Sequence, residues 1–244
     1  MRQNSPGAQN SPGSRISLGA RISLGVRTTR AAVAAVASLV PFGVIAGLVV
    51  GRAGALHDLD ERVADRLHES ASAHPGLTDA MLWWSLLLHP NTFRLAALVL
   101  AIWLARRRET MLAWWVVATM AGGGVLGGVL KLLFGVHRPD FLDPVARATG
   151  YSFPSGHALN AALGTAVLLL VLLPRTRGRI TRAALVAAGV VVPLITAYAR
   201  VVLGVHWISD VVAGLLLGLA VPAITVAVFQ GRRVRVESGR AHIR

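Results

Sequence analysis

Three stretches of the chain put charged and nucleophilic side chains where apolar helices begin or end. The first is Lys131-LLFGVH-Arg138-Pro139. The second is Tyr151-Ser-Phe-Pro154-Ser155-Gly156-His157, and the third is Arg200-VVLGV-His206-WIS-Asp210. Their residue types suit phosphoryl transfer. The transferring group spreads its charge over three equatorial oxygens, and Lys131, Arg138 and Arg200 supply three cations to meet it. Arginine can grip two oxygens in a fork. Ser155, Gly156 and the backbone N–H groups of residues 155–157 lie at a predicted helix N-terminus, which attracts anions, and Gly156 allows close approach of the backbone. Lys131 and Arg138 are seven residues apart and face one pocket if the helix persists.

Two histidines divide the covalent work. His206 and Asp210 are four residues apart, one helical turn, so the carboxylate can hold Nδ1–H and leave Nε2 to attack phosphorus. His157 is positioned to protonate the leaving oxygen as general acid and then to activate water as base. The three cations neutralise the phosphate, so this chemistry requires no metal and no other cofactor.

The elements that must position these groups are membrane helices. The chain has 244 residues, 54% of them hydrophobic and only 15% charged, with a mean hydropathy of +0.60. Soluble domains carry about a quarter charged residues. Runs of roughly 20 apolar residues are long enough to span a bilayer. Expected spans are residues 31–50, 91–105, 111–134, 157–173, 183–203 and 209–229. The second is short, with Arg94 snorkelling at its start. Residues 57–88 begin acidic (Asp58, Asp60, Glu61, Asp65, Glu69) and end in MLWWSLLL, which reads as an interfacial helix. The expected fold is therefore an all-α integral membrane protein, a six-helix bundle occupying residues 31–230. Residues 1–30, with tandem QNSPG and RISLG repeats, read as a disordered basic tail rather than a cleavable signal. Residues 231–244 form a second basic tail.

Arginine distribution sets an orientation. The chain carries 25 Lys+Arg against 11 Asp+Glu. Most of the basic residues fall in the two tails, at Arg106–Arg108, and at Arg175, Arg177, Arg179 and Arg182, all on one side if the spans alternate. The positive-inside rule makes that side cytoplasmic, which accounts for the net charge of +14 without a nucleic acid. Both termini are then cytoplasmic, and all three polar stretches reach the opposite, outer face of the cell membrane. Cysteine is absent, which excludes disulfides and thiolate ligands. The third and sixth spans carry small-xxx-small patterns (Gly122–Gly124 with Gly127–Gly128; Gly214 with Gly218) suited to close helix packing.

The three stretches resemble the signature of the type 2 phosphatidic acid phosphatase family, K-x6-R-P, P-S-G-H and S-R-x5-H-x3-D, whose catalytic core is shared with vanadium haloperoxidases and glucose-6-phosphatase. Ala199 departs from the pattern where the family has serine. The resemblance implies the roles already assigned: phosphate binding by Lys131, Arg138, Arg200, Ser155 and Gly156, with His157 as acid, His206 as nucleophile and Asp210 as its orienter. It also implies a bacterial membrane phosphatase whose partners are the bilayer and a lipid phosphate. Undecaprenyl diphosphate, phosphatidylglycerol phosphate and phosphatidic acid are the substrate classes, and an outward site favours a lipid carrier recycled on the outer leaflet.

The remaining polar residues have plainer readings. His57, His68, His74, His89 and His242 read as structural or interfacial, and His137 as a neighbour of the pocket. Asp140 and Asp143 read as a solvated loop, Tyr151 and Phe153 as loop or pocket wall. The tryptophans near helix ends read as interfacial anchors. Three rival functions remain: a phosphotransferase that replaces water with a hydroxyl acceptor, a haloperoxidase, and a transporter or scaffold that keeps a polar face. The oligomeric state is open.

Overall fold

The computed structural model describes the backbone of residues 18–242 and the side chains of residues 28–229. Among the described residues the regular structure is entirely helical: α1 (Leu18–Val50), α2 (Gly54–Ala73), α3 (Pro75–Leu87), α4 (Pro90–Arg106), α5 (Thr110–Phe134), α6 (Gly156–Leu172), α7 (Arg179–Val202) and α8 (Ile208–His242), with a 3₁₀ turn at Leu173–Arg175. Six stretches are long and apolar enough to cross a membrane: residues 28–50, 75–106, 110–134, 156–175, 179–202 and 208–229. The number of spans matches the sequence expectation. α1 starts at Leu18, inside the segment expected to be a tail, and residues 1–17 lie outside the described residues. α8 likewise runs past residue 230.

Local sequence sets the breaks. Pro75 and Pro90 open α3 and α4, at the position where a missing N–H costs nothing. Gly135 ends α5 with φ of +60°, a left-handed cap that glycine adopts without strain. α6 forms the centre of the bundle. It packs against α4, α5, α7 and α8, and Ala158 to Thr165 are buried without interruption. α8 lies between α6 and α1. Its Gly214 and Gly218 sit directly against α6: a Cβ at either would come within 2.6 Å of a backbone oxygen, of Ser155 and Leu159 respectively. On α5 the packed pair is Gly123 and Gly127, each against a leucine of α6. The small-residue stripes are therefore helix contacts, which let dispersion act between backbones where lipid offers no hydrophobic drive. Trp115 and Thr119 of α5 both hydrogen-bond Thr225 of α8, at 3.2 and 3.1 Å. The outer faces of α1, α4 and α5 expose Val36, Val40, Leu95, Val99, Leu132 and Leu133, as a lipid-facing surface should.

One expectation is revised. The segment ending in MLWWSLLL is not a separate surface helix. It is α3, which packs against α7, and it is parted from α4 only by Leu88 and His89, so residues 75–106 form one apolar stretch. Pro90 explains the break, because it cannot donate the N–H that would carry the helix through. The consequence for the site is direct, since α3 supplies a wall of it.

Candidate active site

The C-terminal ends of α5 and α7 and the N-terminal ends of α6 and α8 meet at one end of the bundle. They enclose a pocket of about 790 Å³ whose lining includes Lys131, Arg138, Gly156, His157, Arg200 and His206. Six of the eight residues named from sequence thus share one cavity. Asp210 and Ser155 lie behind its wall, both with no exposed surface.

His206 is 2% exposed and held from both sides. Its Nδ1 lies 3.0 Å from Asp210 Oδ2, and its Nε2 lies 3.1 Å from an Nη1 of Arg138. A guanidinium can only donate, so Nε2 carries the lone pair and Nδ1 carries the proton. This is the tautomer a nucleophilic Nε2 requires. Asp210 Oδ2 also accepts the backbone N–H of Trp207 at 2.9 Å, so one carboxylate oxygen fixes both the ring and the loop that bears it. Burial, and then the cations Arg138, Arg200 and Lys131, hold the His206 imidazole well below its ordinary pKa. Its neutral, nucleophilic form therefore dominates across the physiological range.

Lys131 and Arg138 share the pocket without sharing a helix. α5 does not persist to Arg138, because Gly135 stops it, and Arg138 reaches the pocket from the following loop. There it donates to the carbonyls of Gly150 (2.9 Å), Thr149 (3.2 Å), Tyr151 (3.3 Å) and Val205. Lys131 Nζ donates to the carbonyls of Tyr151 and Ser152 at 2.6 and 3.0 Å. Both cations thus brace the loop that leads into α6. Burial lowers the Arg138 pKa from its ordinary value, and Asp210 acts against that shift. Arg200 is 8% exposed. It donates to Ser85 Oγ of α3 at 3.3 Å, while its Nε has no hydrogen-bond partner among the described residues.

One reading at the α6 N-terminus is revised. The N–H of Ser155 is not available to an anion, because it donates to the carbonyl of Asp210 at 3.0 Å and ties α6 to α8. Ser155 Oγ is buried without a partner among the described residues. At Gly156 a Cβ would meet only Lys131 Cε, at an ordinary 3.9 Å, so a side chain there would take pocket space. His137 does not line the pocket: its carbonyl accepts from Trp207 Nε1 at 2.9 Å and from Ser152 Oγ at 3.0 Å. Trp207 is accordingly a strut beside the site and more than an interfacial anchor. Phe153 is fully buried between Phe42 and Phe134, after which a cis peptide leads into Pro154.

Several neighbours of the site were not singled out from sequence. Ser85, Trp83, His89 and Arg147 line the pocket, and the His89 ring stands edge-on to His157 with centroids 5.2 Å apart. Asp60 of α2 is 6% exposed and accepts from the backbone N–H and the hydroxyl of Ser209, at 2.9 and 2.7 Å. It caps the first turn of α8 from a different helix. Burial raises its pKa, and the Ser209 hydrogen bonds oppose that shift. Only helix packing brings these residues to the motif, so no local spacing could have announced them.

The sequence profile of the PAP2 superfamily matches residues 112–233, half of the chain, and takes in all eight named site residues. The chain belongs to the PAP2 superfamily. Over 109 residues this PAP2 chain is 37% identical to an undecaprenyl-diphosphatase of Sulfolobus acidocaldarius, a match covering 43% of the chain and 48% of that relative. Over 97 residues it is 37% identical to phosphatidylglycerophosphatase B of Bacillus subtilis, covering 39% of the chain and 47% of the relative. The matches thus span about half the length of these curated relatives. The crystal structure of a transmembrane PAP2 type phosphatidylglycerolphosphate phosphatase from Bacillus subtilis superposes with a TM-score of 0.69 at 24% identity, covering 81% of this chain and 96% of that one. That likeness establishes the fold, a PAP2 helical membrane bundle. Asp60 and the α3 wall lie outside the profile match.

Proposed function

We propose that this PAP2 protein is a lipid phosphatase that hydrolyses lipid phosphates or diphosphates through a phosphohistidine on His206, without a metal. The observation that carries the reading is the His206 geometry, with Nδ1–H on a buried carboxylate and Nε2 turned toward a pocket whose lining includes Lys131, Arg138 and Arg200. Substrate phosphate would replace His206 as a partner of Arg138, which frees the Nε2 lone pair. Nε2 then bonds to phosphorus as the bond to the lipid oxygen breaks, and that oxygen takes the proton of His157. Asp210 stabilises the imidazolium character that develops at His206. In the second half, His157 takes a proton from water as the water oxygen bonds to phosphorus and the P–N bond breaks. Phosphate is released and His206 is neutral again.

Arginine distribution supports a site on the outer face of the membrane, with both chain termini in the cytoplasm. The similarity to an undecaprenyl-diphosphatase and to a phosphatidylglycerophosphatase supports undecaprenyl diphosphate and phosphatidylglycerol phosphate as substrate classes. The test is phosphate release by purified protein from lipid mono- and diphosphates. His206→Ala should lower the rate by at least about a thousandfold, as expected for loss of a covalent nucleophile, and EDTA should leave wild-type activity intact. Full activity in His206→Ala, or abolition by EDTA with recovery on adding a divalent ion, would overturn the mechanism. Phosphorylated acceptors in place of free phosphate would mark a phosphotransferase.

A further inference from the structure

We propose that His89 and Arg147 form a leaving-group subsite that binds a second phosphate, so that the preferred substrates are lipid diphosphates. This inference rests on the phosphatase reading above. The motif residues account for one phosphate, yet the cavity measures about 790 Å³, a size typical of pockets that enclose whole small ligands. Its remaining wall comes from α3 with its C-terminal end and from the loop 147–149. The contents of that half decide which head group fits.

His157 marks the direction in which the leaving group departs, because a general acid must lie within hydrogen-bond reach of the oxygen it protonates. The His89 ring is 5.2 Å from that of His157, centroid to centroid, at 88°. Whatever is bonded to the leaving oxygen therefore comes close to His89. The tautomer of His89 is fixed as well. Its Nδ1 accepts the backbone N–H of Asn91 at 3.2 Å and so caps α4, which leaves the ring proton on Nε2. His89 thus presents an Nε2–H donor on the pocket wall, suited to a phosphate oxygen.

Arg147 supplies the charge. It lines the same pocket, and among the described residues no carboxylate lies within ion-pair distance of it. It precedes by two residues Thr149, whose carbonyl accepts from Arg138 at 3.2 Å, and Arg138 is itself 3.1 Å from His206 Nε2. Two residues span at most about 7 Å, so the Arg147 backbone is tethered close to the phosphate site. The guanidinium fork suits a terminal or bridging phosphate. Asp79 also lines the pocket, but it lies eight residues before the end of α3, so about 12 Å of helix separates it from the α3 C-terminus that His89 follows. In the proposed step, Nε2 of His206 bonds to the terminal phosphorus and the bond to the bridging oxygen breaks. That oxygen takes the His157 proton, and the lipid monophosphate departs held by His89 and Arg147.

The test compares phosphate release from a prenyl diphosphate and a prenyl monophosphate of one chain length in the same detergent, so that the substrates differ only in the second phosphate. Wild-type protein should favour the diphosphate in kcat/KM. Arg147→Ala and His89→Asn, the latter keeping a side-chain acceptor for the α4 cap, should each lower that preference about tenfold, and Arg147→Lys should restore part of it. Calorimetric titration of wild-type protein should show tighter binding of pyrophosphate than of orthophosphate, with the difference lost in Arg147→Ala. Equal wild-type rates on the two substrates, or variants that slow both in proportion, overturn the subsite. Tighter pyrophosphate binding without release from either substrate would uphold the subsite and refute the phosphatase reading instead.

Discussion

Asp60 gives the clearest link between packing and chemistry, and Asp60→Ala is the perturbation that tests it. In the native structure its two carboxylate oxygens accept from the backbone N–H and the hydroxyl of Ser209, and all these groups are buried. Alanine leaves the N–H without a partner in the first turn of α8. An orphaned buried donor costs about 1–3 kcal/mol, and loss of a helix cap by itself costs about 1 kcal/mol. The Ser209 hydroxyl can rotate toward another acceptor, and Asp60 gives back part of its own burial cost. A net loss of about 2 kcal/mol is therefore expected, near the middle of these terms. The catalytic effect follows from adjacency. Asp210 follows Ser209, and its Oδ2 holds both His206 Nδ1 and the Trp207 N–H. A frayed first turn misplaces that oxygen, so kcat should fall roughly 10- to 100-fold, as expected when a positioning contact is lost. KM should change little, because the phosphate-binding cations sit on other elements. Asp60→Asn keeps an acceptor for the N–H and should recover most of both losses. The assays are thermal unfolding in detergent and steady-state phosphate release. Wild-type stability and wild-type kcat in Asp60→Ala, measured together, would refute the reasoning.

Other outcomes follow from the same geometry. Gly214→Ala places a Cβ within 2.6 Å of the Ser155 carbonyl oxygen, a rigid backbone atom directly beneath the α6 N-terminus. It should lower the unfolding temperature and kcat together, whereas Gly128→Ala, whose Cβ meets nothing within 4 Å, should change neither. His206 contributes a pH dependence of defined sign. Its native pKa lies well below 6.5, so between that value and 6.5 the unfolded chain binds a proton at this ring that the native state refuses. Its contribution to stability should therefore fall as pH drops through 6.5, and the difference in thermal unfolding between wild type and His206→Gln across a pH series measures it. For the same reason kcat/KM should show no loss of the free nucleophile at pH 6.5. An acid limb centred at 6.5 that disappears in Asp210→Asn would contradict that assignment.

What the sequence determined by itself is the set of candidate site residues and the solvent. Lys131, Arg138, His157, Arg200, His206 and Asp210 were legible as one cluster because their types and spacing already suit a nucleophile, an acid and an anion cradle, and they meet at one pocket. Six apolar runs were legible because a bilayer demands their length. The His206–Asp210 contact is local, one turn apart, so the sequence could state it outright. The walls of the site were not legible. α3 read as an interfacial helix because its composition suits a membrane surface equally well, and packing against α7 brings Ser85 to Arg200 at the pocket. Spacing placed Arg138 beside Lys131 only if the helix persisted; Gly135 ends α5, and the loop carbonyls of residues 149–151 hold the guanidinium instead. Ser155 was assigned to phosphate, yet its N–H belongs to Asp210 across the α6–α8 interface. Asp60 and Ser209 are 149 residues apart, and no periodicity connects them. Local spacing fixes which groups can react, while helix packing alone decides which of them face the substrate and which hold the others in place.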